Sequence, residues 1–257
     1  MFLEDKGTGS ALLLLHGFCE THDVWQGIAN RLSDHYRVIM PDLPGFGQSP
    51  LLPPPFTLDE VGAYVLDKLS SQGVDDCVAI GHSLGGYVAL AMAALQPGRI
   101  RALALVHSTA MADSDERKEN RNRVIALIRQ SGAQPFIRTF FQNLFARPHP
   151  SQAWLTEQAL SIGDETLIAY TQAMRDRPSR LPFLKNYPGK VLYISGRLDP
   201  LIPLDQAEKQ VQELGPSRAS LAVLNDSAHM GLLEAEEDTY HILEDWLRSA
   251  LKNAHSG

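Results

Sequence analysis

Six short apolar runs punctuate the chain, at 11–15, 36–40, 77–81, 102–106, 190–195 and 219–224. Each is bounded by turn residues and separated from the next by a longer stretch with helical periodicity, the pattern of crossover units that build a parallel sheet. Neither Ala11-Leu-Leu-Leu-Leu15 nor Val191-Leu-Tyr-Ile-Ser195 alternates apolar with polar residues. Both therefore read as strands covered on two faces, with helices on either side of the sheet. A further strand is predicted at Phe2–Asp5, turning through Gly7-Thr-Gly-Ser10 into the run at 11–15 as a hairpin does. Helices are predicted at 57–71, 85–96, 204–214 and 235–252, the second opening with Gly85-Gly86 and ending before Pro97.

From about 110 to 186 this rhythm stops. No convincing strand occurs there; helical stretches are predicted near 115–131, 134–145, 151–161 and 164–176, with Arg-Pro and His-Pro breaks at 147–150. We read residues 110–186 as a helical cap inserted into a body formed by 1–109 and 187–257. The cap aromatics Phe136, Phe140, Phe141, Phe145 and Trp154 are candidates for lining a cleft, although aromatic residues more often serve only as core, here packing the cap onto the body. Pro53-Pro-Pro55 marks a stiff extended loop. The expected fold is α/β: a three-layer sandwich, with a mostly parallel sheet of about seven strands, helices on both faces and an inserted helical cap.

Composition narrows the classes of function. At 257 residues, 44% of them apolar and 21% charged, the chain suits one hydrophobic core. Its formal charge is -7 and its 23 basic residues are scattered, so nucleic acid and anionic membranes are not expected partners; a small-molecule substrate is. The segment Met1–Lys6 carries two acids where a secretory signal would be basic, and the first apolar run is five residues long. Cytoplasmic residence is therefore the expectation. Two cysteines, Cys19 and Cys77, imply no disulfide framework, and metal-site spacings are lacking. No cofactor and no metal are expected, and Cys19 is expected to be an inert thiol.

The chemistry concentrates in Gly81-His82-Ser83-Leu84-Gly85, which follows the strand-like Cys77–Ile80 and precedes the helix-like Tyr87–Ala94. G-x-S-x-G in a strand-turn-helix context describes a nucleophile elbow, which strains the serine backbone and leaves no room for side chains at 81 and 85. A helix N-terminus also aims unpaired N–H groups at developing negative charge. The plainer alternative is a glycine-rich turn with a helix-capping serine. Acyl transfer needs two donors on the oxyanion, and the N–H groups of Leu84 and of Phe18, in Leu15-His-Gly-Phe18, are the candidates. His16 itself is expected to hold structure.

His229, in Ser227-Ala-His229 after the last run, is the candidate base, and Asp199, in Gly196-Arg-Leu-Asp199 after the run at 190–195, is the candidate acid that orients it. The chain order Ser, Asp, His is that of the elbow motif. His107 is expected to line the pocket. Asp226 is too near His229 in sequence to span the sheet, Asp113 stands at the cap entrance, and Asp42 is expected to organise a turn.

Together with His16-Gly-Phe18, Asp42-Leu-Pro-Gly-Phe-Gly-Gln-Ser49 and Gly81-His-Ser-Leu-Gly-Gly86, these motifs resemble those of the α/β-hydrolase superfamily over nearly the whole length. The resemblance is to small single-domain serine esterases, perhydrolase-like enzymes and C–C bond hydrolases. Ser83 in place of aspartate argues against opening epoxides or displacing halides, and the loop at 16–25 lacks the His-Gly-Gly-Pro-Gly of proline iminopeptidases. The usual first strand of eight is expected to be missing. What the resemblance implies is hydrolysis of small carboxylic esters through a serine acyl-enzyme. The same triad also serves C–C bond hydrolases and a menaquinone-pathway lyase, which His16-Gly-Phe18 and Trp25 resemble and against which His82, in place of tyrosine, counts. A non-catalytic small-ligand receptor is the third alternative.

Overall fold

In the computed structural model, which describes residues 1–252, the apolar runs become the strands β2 (Ala11–Leu15), β3 (Arg37–Pro41), β4 (Cys77–His82), β5 (Ile100–Val106), β6 (Val191–Gly196) and β7 (Ala219–Leu224), joined by the short β1 (Leu3–Lys6). They form one sheet in the order β1-β3-β2-β4-β5-β6-β7, parallel except for β1. Leu12 to Leu15 are fully buried. Burying a leucine side chain is worth roughly 1.5–3 kcal/mol, so four in succession demand a strand covered on both faces. The edge strands β1 and β7, by contrast, are only partly buried along their length.

The helices of the body are α1 (Gln26–Leu32), α2 (Leu58–Ser71), α3 (Leu84–Leu95), α9 (Leu204–Leu214), the short α10 (Gly231–Glu234) and α11 (Glu236–Lys252). Chain direction across the sheet reverses after β3: β2 to β3 steps one way, β3 to β4 back past β2. With right-handed crossovers this puts α1 on one face and α2, α3 and α9 on the other, giving the expected three layers. α2 starts at a capping box in which Thr57 Oγ1 accepts from Glu60 N–H at 3.2 Å while Thr57 N–H donates to Glu60 at 2.7 Å. α3 is buried on every side from Leu84 to Ala93, as befits a helix that packs on the sheet centre beneath α2.

Two features depart from expectation. β1 does not form a hairpin with β2; it pairs antiparallel with β3, Leu3 opposite Pro41 and Lys6 opposite Val38. Both edges of β2 are taken by the parallel strands β3 and β4, so β1 can only be added beyond β3. No helix was expected between 16 and 36, yet a 3₁₀ turn at His22–Trp25 leads into α1 and buries Trp25, Ile28, Ala29 and Leu32 at helical spacing.

Between β5 and β6 lie five helices, α4 (Asp115–Ser131), α5 (Gln134–Phe140), α6 (Ser151–Ala159), α7 (Asp164–Asp176) and α8 (Leu181–Leu184), with no strand among the described residues of that span. The helix expected over 134–145 stops at Phe140 and tightens into a 3₁₀ turn at Phe141–Asn143, which turns Phe141, Leu144 and Phe145 inward. Asp113, buried, pairs with Arg121 and with Arg177 at 2.8 Å, and the Arg177 guanidinium stacks 3.9 Å over Tyr87 of α3. The cation–π contact fastens the insertion to the body, as does the ion pair of Arg180 with Asp59 of α2. Among the described residues no helix is long and apolar enough to cross a membrane.

Candidate active site

Ser83 joins β4 to α3 with φ 48° and ψ −110°, a conformation unfavourable for any residue with a side chain. The turn is held from both sides: Ser83 N–H donates to Val106 O at 2.9 Å, and Ser108 Oγ donates to Ser83 O at 2.7 Å. Close approach explains the glycines. A Cβ on Gly81 would stand 2.3 Å from Gly85 C, and one on Gly85 2.3 Å from Leu15 O. The Ser83 side chain caps no helix N–H, so the helix-capping alternative fails. While its neighbours His82 and Leu84 are fully buried, Ser83 is partly exposed.

Gly85 also packs against His16 O, so the loop after β2 lies directly on the elbow. His16 is buried and spends both ring nitrogens on structure: Nε2 accepts from Leu43 N–H at 2.9 Å and Nδ1 lies 2.8 Å from Gly17 O. Burial lowers its pKa despite that bond and nearby carboxylates, so it is neutral. Asp42 organises the next turn, accepting from His22 and Gln48 N–H at 3.0 and 2.8 Å. Among the described residues, the N–H groups of Phe18 and Leu84 find no protein acceptor.

Asp199 and His229 stand at the C-terminal ends of β6 and β7. Asp199 Oδ1 accepts from Leu201 and Ile202 N–H at 2.8 and 2.9 Å, and Oδ2 lies 2.8 Å from His229 Nδ1. Burial alone would raise the Asp199 pKa, but the charge of His229 and its hydrogen bond outweigh it and hold the carboxyl well below the usual range. The carboxylate therefore fixes the imidazole with Nδ1 protonated, leaving Nε2 as the basic atom. The His229 main chain is tied as well, its N–H donating to Leu144 O at 2.9 Å.

A cavity of about 380 Å³ opens beside these loops, lined by Phe18, Val124, Phe136, Phe140, Leu144, Thr171 and Leu201, with Arg117, Asn120 and Arg121 on the α4 side. It touches the loop after β2 at Phe18, the His229 contact at Leu144 and the Asp199 loop at Leu201. Phe18 and Phe140 meet edge to face at 5.8 Å.

Of the predicted lining residues, only Phe136 and Phe140 lie on this cavity. Phe141 and Phe145 are buried in the core because the chain tightens after Phe140, and Trp154, 37% exposed, lies on the outer surface of α6. His107 is buried behind Asp199, where Nδ1 accepts from Gly196 N–H at 3.2 Å and lies 3.3 Å from Asp199 Oδ2. Burial pushes its pKa down to about 4, so it is neutral. Ligating atoms of His107, Asp199 and His229 lie within 4.8 Å of one another, a grouping that the hydrogen bonds His229–Asp199 and Gly196–His107 account for.

Cys19 is buried, and burial raises its thiol pKa well above the ordinary value, which disfavours the reactive thiolate. Sequence reasoning overlooked the buried Glu20 beside it, whose carboxylate faces His82 at 3.0 Å. No local signal pairs two residues so far apart in the chain.

The sequence profile described as alpha/beta hydrolase fold matches residues 10–236. The pimeloyl-[acyl-carrier protein] methyl ester esterase of Aeromonas hydrophila is 30% identical over 267 residues, covering 95% of this chain and 98% of that protein. The dihydrolipoyllysine-residue acetyltransferase component of the acetoin cleaving system of Cupriavidus necator is also 30% identical, over 94% of this chain, which spans only 65% of that protein's length. Among solved structures, a thermophilic esterase from Thermogutta terrifontis, malate bound, superposes with a TM-score of 0.90 at 30% identity, over 97% of this chain and 93% of that one.

Proposed function

The chain belongs to the α/β-hydrolase fold family, as a hydrolase with esterase relatives, and from that premise we propose that Ser83, His229 and Asp199 cleave small carboxylic esters through a serine acyl-enzyme. The observation that carries the proposal is the buried 2.8 Å contact between Asp199 Oδ2 and His229 Nδ1, at the same sheet edge as a strained, partly exposed serine.

In the first half-reaction His229 Nε2 takes the proton from Ser83 Oγ as that oxygen bonds the ester carbonyl carbon. The carbonyl oxygen becomes an oxyanion, received by the N–H groups of Phe18 and Leu84, which have no other acceptor among the described residues to give up. As the tetrahedral species collapses, the bond to the alkoxy oxygen breaks and His229 returns its proton to the leaving alcohol. Water then repeats the sequence on the acyl-enzyme and releases the carboxylic acid and free Ser83. Asp199 stays ionised throughout and stabilises the imidazolium.

The α4–α8 insertion serves as the cap: Phe136 and Phe140, with Phe18, supply apolar surface for the acyl chain. No step calls for a metal or an organic cofactor. Ser83→Ala is expected to abolish turnover of p-nitrophenyl acetate and butyrate while leaving the circular dichroism spectrum unchanged; retained turnover would overturn the assignment. Diketone cleavage and elimination use the same three residues, and protein inactive on every ester but consuming a diketone or releasing pyruvate would replace the ester reading.

A further inference from the structure

One buried ionisable pair, Glu20 and His82, touches all three loops that build the site. Glu20 follows the oxyanion loop after β2, and His82 ends β4 immediately before Ser83. Glu20 Oε2 accepts from Gly17 N–H at 2.7 Å and lies 3.0 Å from His82 Nδ1, while His82 Nε2 lies 2.9 Å from the main-chain O of His229.

A main-chain carbonyl can only accept, so His82 Nε2 carries a hydrogen. One further proton lies between Glu20 Oε2 and His82 Nδ1, and with Glu20 ionised it belongs to the ring. A ring with both nitrogens protonated is an imidazolium, and Glu20 supplies its counter-charge. Burial opposes both charges. Their mutual attraction and hydrogen bonds prevail, holding the Glu20 carboxyl below its usual pKa and His82 above its own. The other ionisable groups facing the pair are His16 and Cys19 on the Glu20 side, and His107, Asp199 and His229 on the His82 side.

We propose that Glu20 and His82 form a buried ion pair that positions the reacting groups: the carboxylate anchors Gly17, next to the Phe18 donor, and the imidazolium anchors the carbonyl of His229, whose ring is the base. The inference rests on the hydrolytic reading of Ser83. Gly17 fits this role, since a Cβ there would stand 2.7 Å from both Glu20 Oε1 and His82 Nδ1. Leu84, the second donor, is two residues beyond His82, so one pair references both donors and the base to a single elbow. Neither residue of the pair exchanges a proton with substrate; each acts through its neighbour.

The protein as it stands supplies the first test. With ¹⁵N-labelled histidine at about pH 8, where an unpaired histidine is neutral, the His82 ring is expected to carry protons on both nitrogens. A singly protonated ring there would overturn the proposal without any variant having to fold. Glu20→Gln and His82→Gln supply the second. Displacing an oxyanion donor or the base by a fraction of an ångström acts on the transition state, so kcat on p-nitrophenyl acetate is expected to fall about tenfold to a hundredfold with KM within about twofold. Fluorophosphonate labelling of Ser83 is expected to slow in parallel. Variants that melt earlier yet label and turn over at the wild-type rate would make the pair merely structural and sink the inference. Wild-type protein that fails to label at Ser83 would instead sink the nucleophile assignment, and the inference with it.

Discussion

At the scale of the residue, Asp199 divides its work between two oxygens. Oδ1 is consumed by the main chain of its own loop, at Leu201 and Ile202, and Oδ2 is left to face His229. An amide at this position could keep the first set of bonds, but its NH₂ group would present a donor to the imidazole and favour the wrong tautomer. Asp199→Asn is therefore expected to lower kcat roughly 10⁴-fold while the far-ultraviolet circular dichroism is preserved, measured on p-nitrophenyl butyrate. A loss below tenfold would mean that another carboxylate orients the base. His107, although it touches the same oxygen, is neutral and already accepts from Gly196 N–H, so it supports the loop and is not a second base.

At the scale of the element, the proposed function gives the chemistry to the elbow and the selection to the insertion. The elbow is rigid because β4, β5 and α3 all contribute bonds or close contacts to it. On that reading selection falls to α5 and its surroundings, where Phe136 and Phe140 meet Phe18 over the cavity. On the proposed ester reading, truncating Phe140 removes a cavity wall that would face the acyl chain without touching a hydrogen-bonded group. Phe140→Ala is expected to raise the ratio of kcat/KM for p-nitrophenyl octanoate over acetate by about tenfold. An unchanged ratio would show that the acyl chain lies elsewhere. Helical periodicity predicted α5 but not its end at Phe140, because the tightening at Phe141–Asn143 is driven by burial of Phe141 and Leu144, which only the packed partner reveals.

At the scale of the whole molecule, the buried carboxylates govern behaviour in acid. Glu20, Asp42, Asp113 and Asp199 all have pKa values lowered below their ordinary ones, in each case because bases and hydrogen bonds outweigh the opposing effect of burial. A carboxyl group lowered in the folded state contributes stability that is complete above the unfolded pKa and is lost as pH falls through the folded value. The melting temperature is therefore expected to fall steeply once pH drops below about 4, where unfolded carboxylates take up protons that the native ones refuse. Asp113, paired with Arg121 and Arg177 and hydrogen-bonded to none of the proposed reacting groups, tests this. Asp113→Asn is expected to flatten the acid limb of a melting-temperature profile, and an unchanged slope would remove that group from the account.

By itself the sequence determined the alternation of strands and helices, the elbow around Ser83 and the order in which Asp199 and His229 follow it. These are legible because side-chain periodicity and tight-turn chemistry are properties of a few neighbouring residues. Tertiary structure alone decided that β1 lies beyond β3, that only Phe136 and Phe140 among the cap aromatics reach the cleft, and that His107 sits behind Asp199. It also decided that Glu20 meets His82, 62 positions away. Such placements depend on which surfaces the sheet order brings together, and on whether a buried charge can find its partner, neither of which a local stretch of chain encodes.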